Sequence, residues 1–556
     1  MKKRRPVVLI GLDGADFAIL DREMARGRLP VLRGLLERGV RAPLRTTTPP
    51  LTFPAWTTFA TGVNPGRHGI FDFSEKMVGS YAIRFVNASW RRAPAFWRLL
   101  SQAGRRVAVL GVPVTYPPEA VNGVMVCGFD APGVGGGAVD AASVHPPEFL
   151  ARLLEAAPDY WLGANLQGLG VDYEQLTQRL LKVLDARLEA FLWAYRREPW
   201  DCFVGVVGET DAVCHYFWRF YDPASPFFPA AQAHLGEVVA EVYRRTDVFL
   251  GKLLEEMPAD AVLMLVSDHG MGPAGNLGVR LNAFLAEAGF LHFLPPSPTH
   301  RALALARDWG VRLLPPRLKR LIFRHTGLVA ALEGKFRFSH LDWRQTRAYS
   351  LEPPQFPAIY LNLKGRDPEG IIPPEDYENL AEQVRQALLA WRTPGGRPLV
   401  RRVWRKEELY QGPAVERAPD LLLAWESDES GGHPQFLRST SGSPALETIV
   451  DPDETWLVNR SACHRDLGIF VAAGEGVAPS SHLTPLPGLE DIAPTVLLLQ
   501  ALDEAPPMDG RVLANVFPEL GGGLRRGEEA PVQATEELSP EDEEEVKARL
   551  KALGYL

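Results

Sequence analysis

Pro6-Val-Val-Leu-Ile-Gly-Leu12 is a short apolar run that stops at Asp13. Its length and its Val/Ile content suit a strand buried on both faces, with a carboxylate placed where the strand ends. The arrangement recurs twice. Cys202-Phe-Val-Gly-Val-Val207 leads into Glu209-Thr-Asp211, and Val262-Leu-Met-Leu-Val266 leads into Ser267-Asp-His269. Further β-type runs cover Val107–Val112, 358–363, 421–424 and 469–472, with helical patterns between them. Strand–helix alternation predicts an α/β fold: a mostly parallel central sheet flanked by helices. In such sheets ligands sit beyond the carboxyl ends of the strands. Polar residues from distant segments, all placed at that end, therefore predict a single site.

The chain has 556 residues, 46% of them hydrophobic and 23% charged, which is enough apolar material for a large core. A net charge of −8 gives no support to a nucleic-acid partner. The four cysteines show no CxxC spacing and read as reduced thiols. Met1-Lys-Lys-Arg-Arg5 resembles the start of an export signal. The apolar run after it is short, however, and Asp13 and Asp16 interrupt it. No run reaches the ~18 apolar residues that span a bilayer. The expected location is the cytoplasm.

The organisation expected from the sequence is one catalytic domain over residues 1–520, with insertions at about 75–200 and 273–345. A Gly- and Glu-rich linker follows over 521–538, then a C-terminal helix over 539–556. The glycines at 133–137 read as a loop. Ser539-Pro-Glu-Asp542 is a helix start, with Ser as N-cap, Pro at N1 and acids in the first turn. Residues 301–340 hold nine Lys/Arg against two Asp/Glu, interleaved with apolar residues. That pattern suits a basic amphipathic cap able to touch a membrane surface. A solvated helical insert is the plainer reading and the preferred one. No feature of the sequence sets the oligomeric state.

Each motif has a plain alternative. Asp13 alone reads as a turn or cap aspartate. Thr52, in Pro49-Pro-Leu-Thr-Phe-Pro-Ala-Trp56, alone reads as a helix N-cap. Asp211 and His215 are four apart, a spacing that puts both on one helix face. A helix-start aspartate and a packed histidine would look the same. Asp268-His269 is the most specific pair, because adjacent Asp and His at a buried strand end are costly unless paired or coordinated. His464 is plausible as a ligand only in company. Together, three carboxylates (Asp13, Asp211, Asp268) and three imidazoles (His215, His269, His464) make a ligand set for two divalent cations. A hydroxyl at Thr52 would meet the free N–H groups of a helix start, which favour a phosphoryl group. The residues thus point to a metal-dependent hydrolase of phosphoryl esters.

These pieces resemble the alkaline phosphatase superfamily, specifically its type I phosphodiesterase/nucleotide pyrophosphatase branch. The matching stretches are Gly11-Leu-Asp-Gly-Ala-Asp16, Thr52-Phe-Pro54 with Thr61-Gly-Val-Asn-Pro-Gly-Arg-His-Gly-Ile70, and Asp211-x-x-x-His215. Ser267-Asp-His-Gly-Met271, His464 before Gly468-Ile-Phe470, and Ile492-Ala-Pro-Thr-Val496 with Met508-Asp-Gly-Arg-Val512 complete the set. The resemblance implies that Asp211, His215 and His464 hold one zinc, and that Asp13, Asp268, His269 and the Thr52 oxygen hold the other. Mn2+ is the alternative metal. It also implies that Thr52 attacks phosphorus and that water hydrolyses the resulting phosphothreonine. One departure stands out: the Asn that follows Thr-Phe-Pro in the nucleotide pyrophosphatases is Ala55 here. Such a donor is worth on the order of 3–4 kcal/mol in the transition state where it acts. Its loss weakens the case for nucleotide pyrophosphatase activity but leaves hydrolysis intact.

The expected substrate is therefore a small phosphoester, most simply a phosphodiester. The nearest alternative is a phosphomonoesterase or phosphotransferase on the same scaffold. A sulfatase would need Cys or Ser where Thr52 stands. An alternative of another class is a non-catalytic protein that binds anions or membrane surfaces through residues 301–340.

Overall fold

The computed structural model describes residues 4–77, 79–132, 138–164, 166, 172–295, 338, 340–352, 357–450, 460–521, 523–529 and 538–553. At its centre is an eight-stranded sheet in the order Val40–Arg45, Leu467–Gly474, Val262–Val266, Val7–Leu12, Cys202–Val207, Val107–Val112, Gly123–Cys127, Val144–His145. Val7–Leu12 lies between its two parallel neighbours, with Val7 opposite both Cys202 and Val262 and Leu12 opposite Val207. The pairings from Val262–Val266 across to Gly123–Cys127 are parallel, and the remaining pairings at the two sides are antiparallel. The fold is α/β with a mostly parallel sheet.

The inner strands are buried along their whole length, which is why they read as unbroken apolar runs rather than as alternating ones. Side chains still alternate between the two faces. Val8, Ile10 and Leu12 join one core with the helices Tyr173–Arg197 and Glu237–Glu256. Val7 and Leu9 join another with the helices Thr52–Thr61 and Ile492–Leu499.

Four expectations need correction. The runs expected at 358–363 and 421–424 are strands Ala358–Leu361 and Leu421–Trp425, but they do not enter the central sheet. They pair antiparallel in a separate four-stranded sheet with Ala348–Tyr349 and Val400–Arg405, backed by the helix Tyr377–Ala390. An apolar run signals burial and does not say against which sheet. Secondly, Leu467–Gly474 is in the central sheet but antiparallel to both neighbours. Thirdly, the stretch about 75–200 is not simply an insertion, since Val107–Val112 and Gly123–Cys127 are central strands. A lack of candidate site residues there had no bearing on burial. Fourthly, part of the expected linker is attached to the core, because Arg525–Arg526 pairs with Glu504–Ala505.

The expected insertion at 273–345 starts inside the strand Gly270–Val279, which is followed by the helix Leu281–Glu287. The basic segment at 301–340 lies outside the described residues except for Phe338 and His340, and the glycines at 133–137 lie wholly outside them. The C-terminal helix spans Pro540–Leu553. Ser539 Oγ accepts the Asp542 N–H at 3.1 Å, as an N-cap does. Val546 and Leu550 are buried against the main core, and Glu543 pairs with Arg84 at 2.8 Å. Among the described residues no helix is long and apolar enough to cross a membrane.

Candidate metal centre

Strand ends and one helix start converge on a single place. Asp13 follows Val7–Leu12, and Asp268 and His269 follow Val262–Val266. Asp211 and His215 share one face of the helix Glu209–Tyr221, which begins just after Cys202–Val207. His464 comes from the strand Ala462–Arg465, which pairs antiparallel with Gly270–Val279 so that His464 faces Met271. All six side chains are buried or nearly so.

The six fall into two groups of three. In one, His215 Nε2 lies 3.2 Å from His464 Nε2, and these nitrogens lie 3.4 and 3.5 Å from Asp211 Oδ1. In the other, His269 Nε2 lies 3.2 Å from Asp268 Oδ2 and 3.6 Å from Asp13 Oδ1. Within each group the candidate ligand atoms are within 4.8 Å of one another. Ligands bonded to zinc at ~2.0–2.1 Å in a tetrahedron sit about 3.3–3.4 Å apart, so these spacings suit a cation of that size.

The hydrogen bonds behind the rings assign their tautomers. His464 Nδ1 donates to Pro50 O at 2.8 Å, and His269 Nδ1 donates to Gly270 O at 3.1 Å. In the neutral rings each Nε2 then turns a lone pair inward. The His269 lone pair faces carboxylate oxygens, an arrangement that requires a cation or a proton between them. Asp13 Oδ1 and Asp268 Oδ2 are buried and accept no hydrogen bond. Their partner oxygens are held: Trp56 Nε1 donates to Asp13 Oδ2 at 3.1 Å, and Gly14 N donates to Asp268 Oδ1 at 3.2 Å. The donor set of carboxylates and imidazoles, with Asp13 Oδ1 and Asp268 Oδ2 left open, fits two divalent ions.

Electrostatics agree. Burial, then the nearby carboxylates of Asp268 and Asp211, push the Asp13 carboxyl well above the usual range. Burial does the same to Asp268, against the pull of the Gly14 N–H. Burial also raises Asp211, but His215 and His464 outweigh it and hold that carboxyl well below the usual range. Burial and His464 keep the His269 ring neutral. Three ionised carboxylates in this space need compensating positive charge.

Thr52 is the first residue of the helix Thr52–Thr61, with Leu51 at the cap position, so the plain alternative of an N-cap threonine does not hold. Its side chain does not close back on the helix. Thr52 Oγ1 lies 3.3 Å from His269 Nε2, against the Asp13 group. The helix ends at Gly62 in the left-handed conformation (φ 70°), where sequence places its end.

Supporting residues had no local signal. Thr210 Oγ1 donates to Asp13 O at 2.6 Å, and Ser461 Oγ to His215 O at 2.9 Å. Arg187, 2% exposed, holds both oxygens of Glu209 with its Nε at 3.0 and 2.9 Å, at the first turn of the helix that carries Asp211 and His215. A cavity of about 120 Å³ opens beside His215 and His464. Trp404, Trp425 and Phe436 line it, with Arg401 at its rim in a 2.7 Å pair with Asp466.

The model of the type I phosphodiesterase/nucleotide pyrophosphatase family matches residues 7–429. Among solved structures, phosphonoacetate hydrolase from Sinorhizobium meliloti 1021, in complex with phosphonoformate, aligns over 89% of this chain and 96% of its own. The TM-score is 0.52 and the identity 16%. Murine ectonucleotide pyrophosphatase/phosphodiesterase 5 aligns over 91% of this chain and 97% of its own, with a TM-score of 0.45 and 14% identity. No curated protein matches the chain in sequence at a significant level.

Proposed function

The chain belongs to the type I phosphodiesterase/nucleotide pyrophosphatase family of the alkaline phosphatase superfamily and is a metal-dependent phosphoric ester hydrolase, and on that premise we propose that it cleaves a phosphodiester with Thr52 as nucleophile. The observation that carries this reading is the place of Thr52 Oγ1. It stands at a helix N-terminus, 3.3 Å from His269 Nε2 and beside carboxylates whose inward oxygens are open.

In this reading Asp211, His215 and His464 hold one divalent ion, and Asp13, Asp268 and His269 hold the other with the Thr52 oxygen. Zinc is the proposed metal, with Mn2+ as the alternative. Two such ions would supply Lewis-acid charge for the entering and leaving oxygens and would lower the pKa of a hydroxyl. Thr52 Oγ1 would give its proton to solvent, bond to phosphorus and displace one alcohol, which takes up a proton as it leaves, giving a phosphothreonine that keeps the second ester group. Water would then attack the same phosphorus, break its bond to Thr52 Oγ1, release the monoester and restore the hydroxyl. The free N–H groups at the start of the Thr52 helix face the non-bridging oxygens and favour their charge. Ala55 is fully buried and donates nothing there. The cavity walled by Trp404, Trp425 and Phe436 receives the organic part of the substrate.

The test compares an aryl phosphodiester, an aryl phosphomonoester and an aryl sulfate with metal-loaded protein. Fastest turnover of the diester, together with an adduct on the Thr52 peptide in a quenched reaction whose mass is that of one phosphoryl group plus the ester group the diester retains, is the expected result. Fastest turnover of the monoester would shift the assignment to a phosphomonoesterase. A protein that binds no metal and turns over none of the three would point to the binding role through residues 301–340. The proposed location is the cytoplasm, which cell fractionation checks.

A further inference from the structure

Trp56 lies four residues after Thr52, on the same face of the same helix, and its side chain is fully buried. Its Nε1 donates to Asp13 Oδ2 at 3.1 Å, while Asp13 Oδ1 is buried and accepts no hydrogen bond. The indole is closely packed. Its edge lies over Gly11 on the strand that ends at Asp13, and a Cβ at Gly11 would come within 2.3 Å of Trp56 Cη2. Phe59 also packs edge-on against it, ring centroids 5.1 Å apart. A glycine on the strand and a phenylalanine on the helix thus fix the indole plane, and the plane fixes its N–H.

We propose that Trp56 is a positioning residue for the metal centre: its N–H takes one oxygen of Asp13, so that the other alone faces the ion, and it ties that carboxylate to the helix that begins with Thr52. The proposal rests on the two-metal reading above. A carboxylate with two open oxygens can rotate about its Cβ–Cγ bond or chelate through both. A donor fixed to one oxygen removes both freedoms, and outer groups of this kind typically change metal affinity by about 10–100-fold. Because the donor sits one turn along from Thr52, the same contact sets the distance between the nucleophile and the ion that Asp13 holds. A sequence scan does not find it, since Trp56 in a helical pattern reads simply as a core aromatic.

Two variants test the role. Trp56→Phe removes the N–H and part of the ring. Replacing the Trp56 indole with benzothiophene, by incorporation of benzothienylalanine, removes the N–H and keeps the shape. Calorimetric titration of metal-free protein with Zn2+ is the first readout, and melting of the metal-free protein is the second. The expected result is two ions in the wild type. In both variants one of them should be weakened by about 10–100-fold and the other little changed, with the benzothiophene form melting as the wild type does. Two ions bound with unchanged affinity by the benzothiophene form would overturn the positioning role and leave the two-metal reading standing. A wild type that binds no divalent ion would overturn both.

Discussion

His269 and His464 stack face to face, with ring centroids 3.6 Å apart and planes 18° from parallel. One belongs to each group of three. The two halves of the centre therefore share a wall made of two imidazoles, so that removing either ring disturbs both halves.

His464→Ala is therefore expected to lower occupancy in both halves, not only in the one that contains His464. Elemental analysis of protein purified without chelator should give about two divalent ions per chain for the wild type and clearly fewer than one for the variant. Loss of a single ion with the second fully retained would show that the stacked wall is not needed. Chelation of the wild type should abolish turnover and lower its melting temperature, with Zn2+ restoring both.

Thr52→Ala should fold normally, because the residue is the first of its helix and makes no cap hydrogen bond. Turnover should fall by about 10³-fold or more, the scale seen when a covalent nucleophile is removed. Thr52→Ser should keep measurable activity and still form a phosphoenzyme. Steady-state rates of the alanine variant near those of the wild type would rule out Thr52 as the nucleophile.

The Arg187–Glu209 pair is buried, each side chain 2% exposed. Besides holding Glu209, Arg187 donates to the carbonyls of Trp161 and Leu162 at 3.2 and 3.0 Å. Arg187→Met leaves the Glu209 carboxylate buried without its cation and should cost about 3–5 kcal/mol. Arg187→Met with Glu209→Gln should recover part of that loss. Urea denaturation of the three proteins measures it, and a single variant as stable as the wild type would contradict the expectation.

Asp130 lies 4% exposed, where burial pushes its carboxyl up to about 6 against the opposing pull of the Val114 N–H and Arg549. The folded state therefore keeps a proton that the unfolded chain releases near its ordinary value. Between about pH 4 and 6 the folded state binds more protons, so stability falls as pH rises through that window. The full effect is at most about 3 kcal/mol. Asp130→Asn should flatten this slope and should be the more stable protein above pH 6. Melting curves from pH 4 to 8 decide the matter, and parallel pH profiles for the two proteins would refute the assignment.

Much of the architecture was legible because burial on both faces leaves an unmistakable trace. Val7–Leu12, Val107–Val112, Cys202–Val207 and Val262–Val266 have in the structure the bounds that their apolar runs suggest. Asp13, Asp268 and His269 were legible for a related reason: buried strands that end abruptly in Asp or His bring polar groups to one edge of the sheet. Asp211 and His215 were read from their four-residue spacing on a helix, and His464 only in company with the others. What stayed hidden was long-range. Nothing near residue 358 says that its strand pairs with residue 421 rather than with the central sheet. Thr52 was legible only in company: taken alone it looked like a cap, as Ser and Thr at helix starts usually are, whereas its hydroxyl points at His269 instead of back along the chain. Arg187 gave no sign of its role, because a charged residue in a long amphipathic helix looks the same whether it faces water or a buried glutamate.

The strand Ala462–Arg465 is only four residues long, and its pairing sets His464 opposite Met271. That short ladder acts as a reading frame. Slipping it by one residue would bring Cys463 or Arg465 to that place, so a thiol or a guanidinium would stand where an imidazole now stands. A single inserted or deleted residue within this strand would therefore rewrite the chemistry of the centre without disturbing the central sheet, whereas the same edit in an exposed loop would change only the length of the chain.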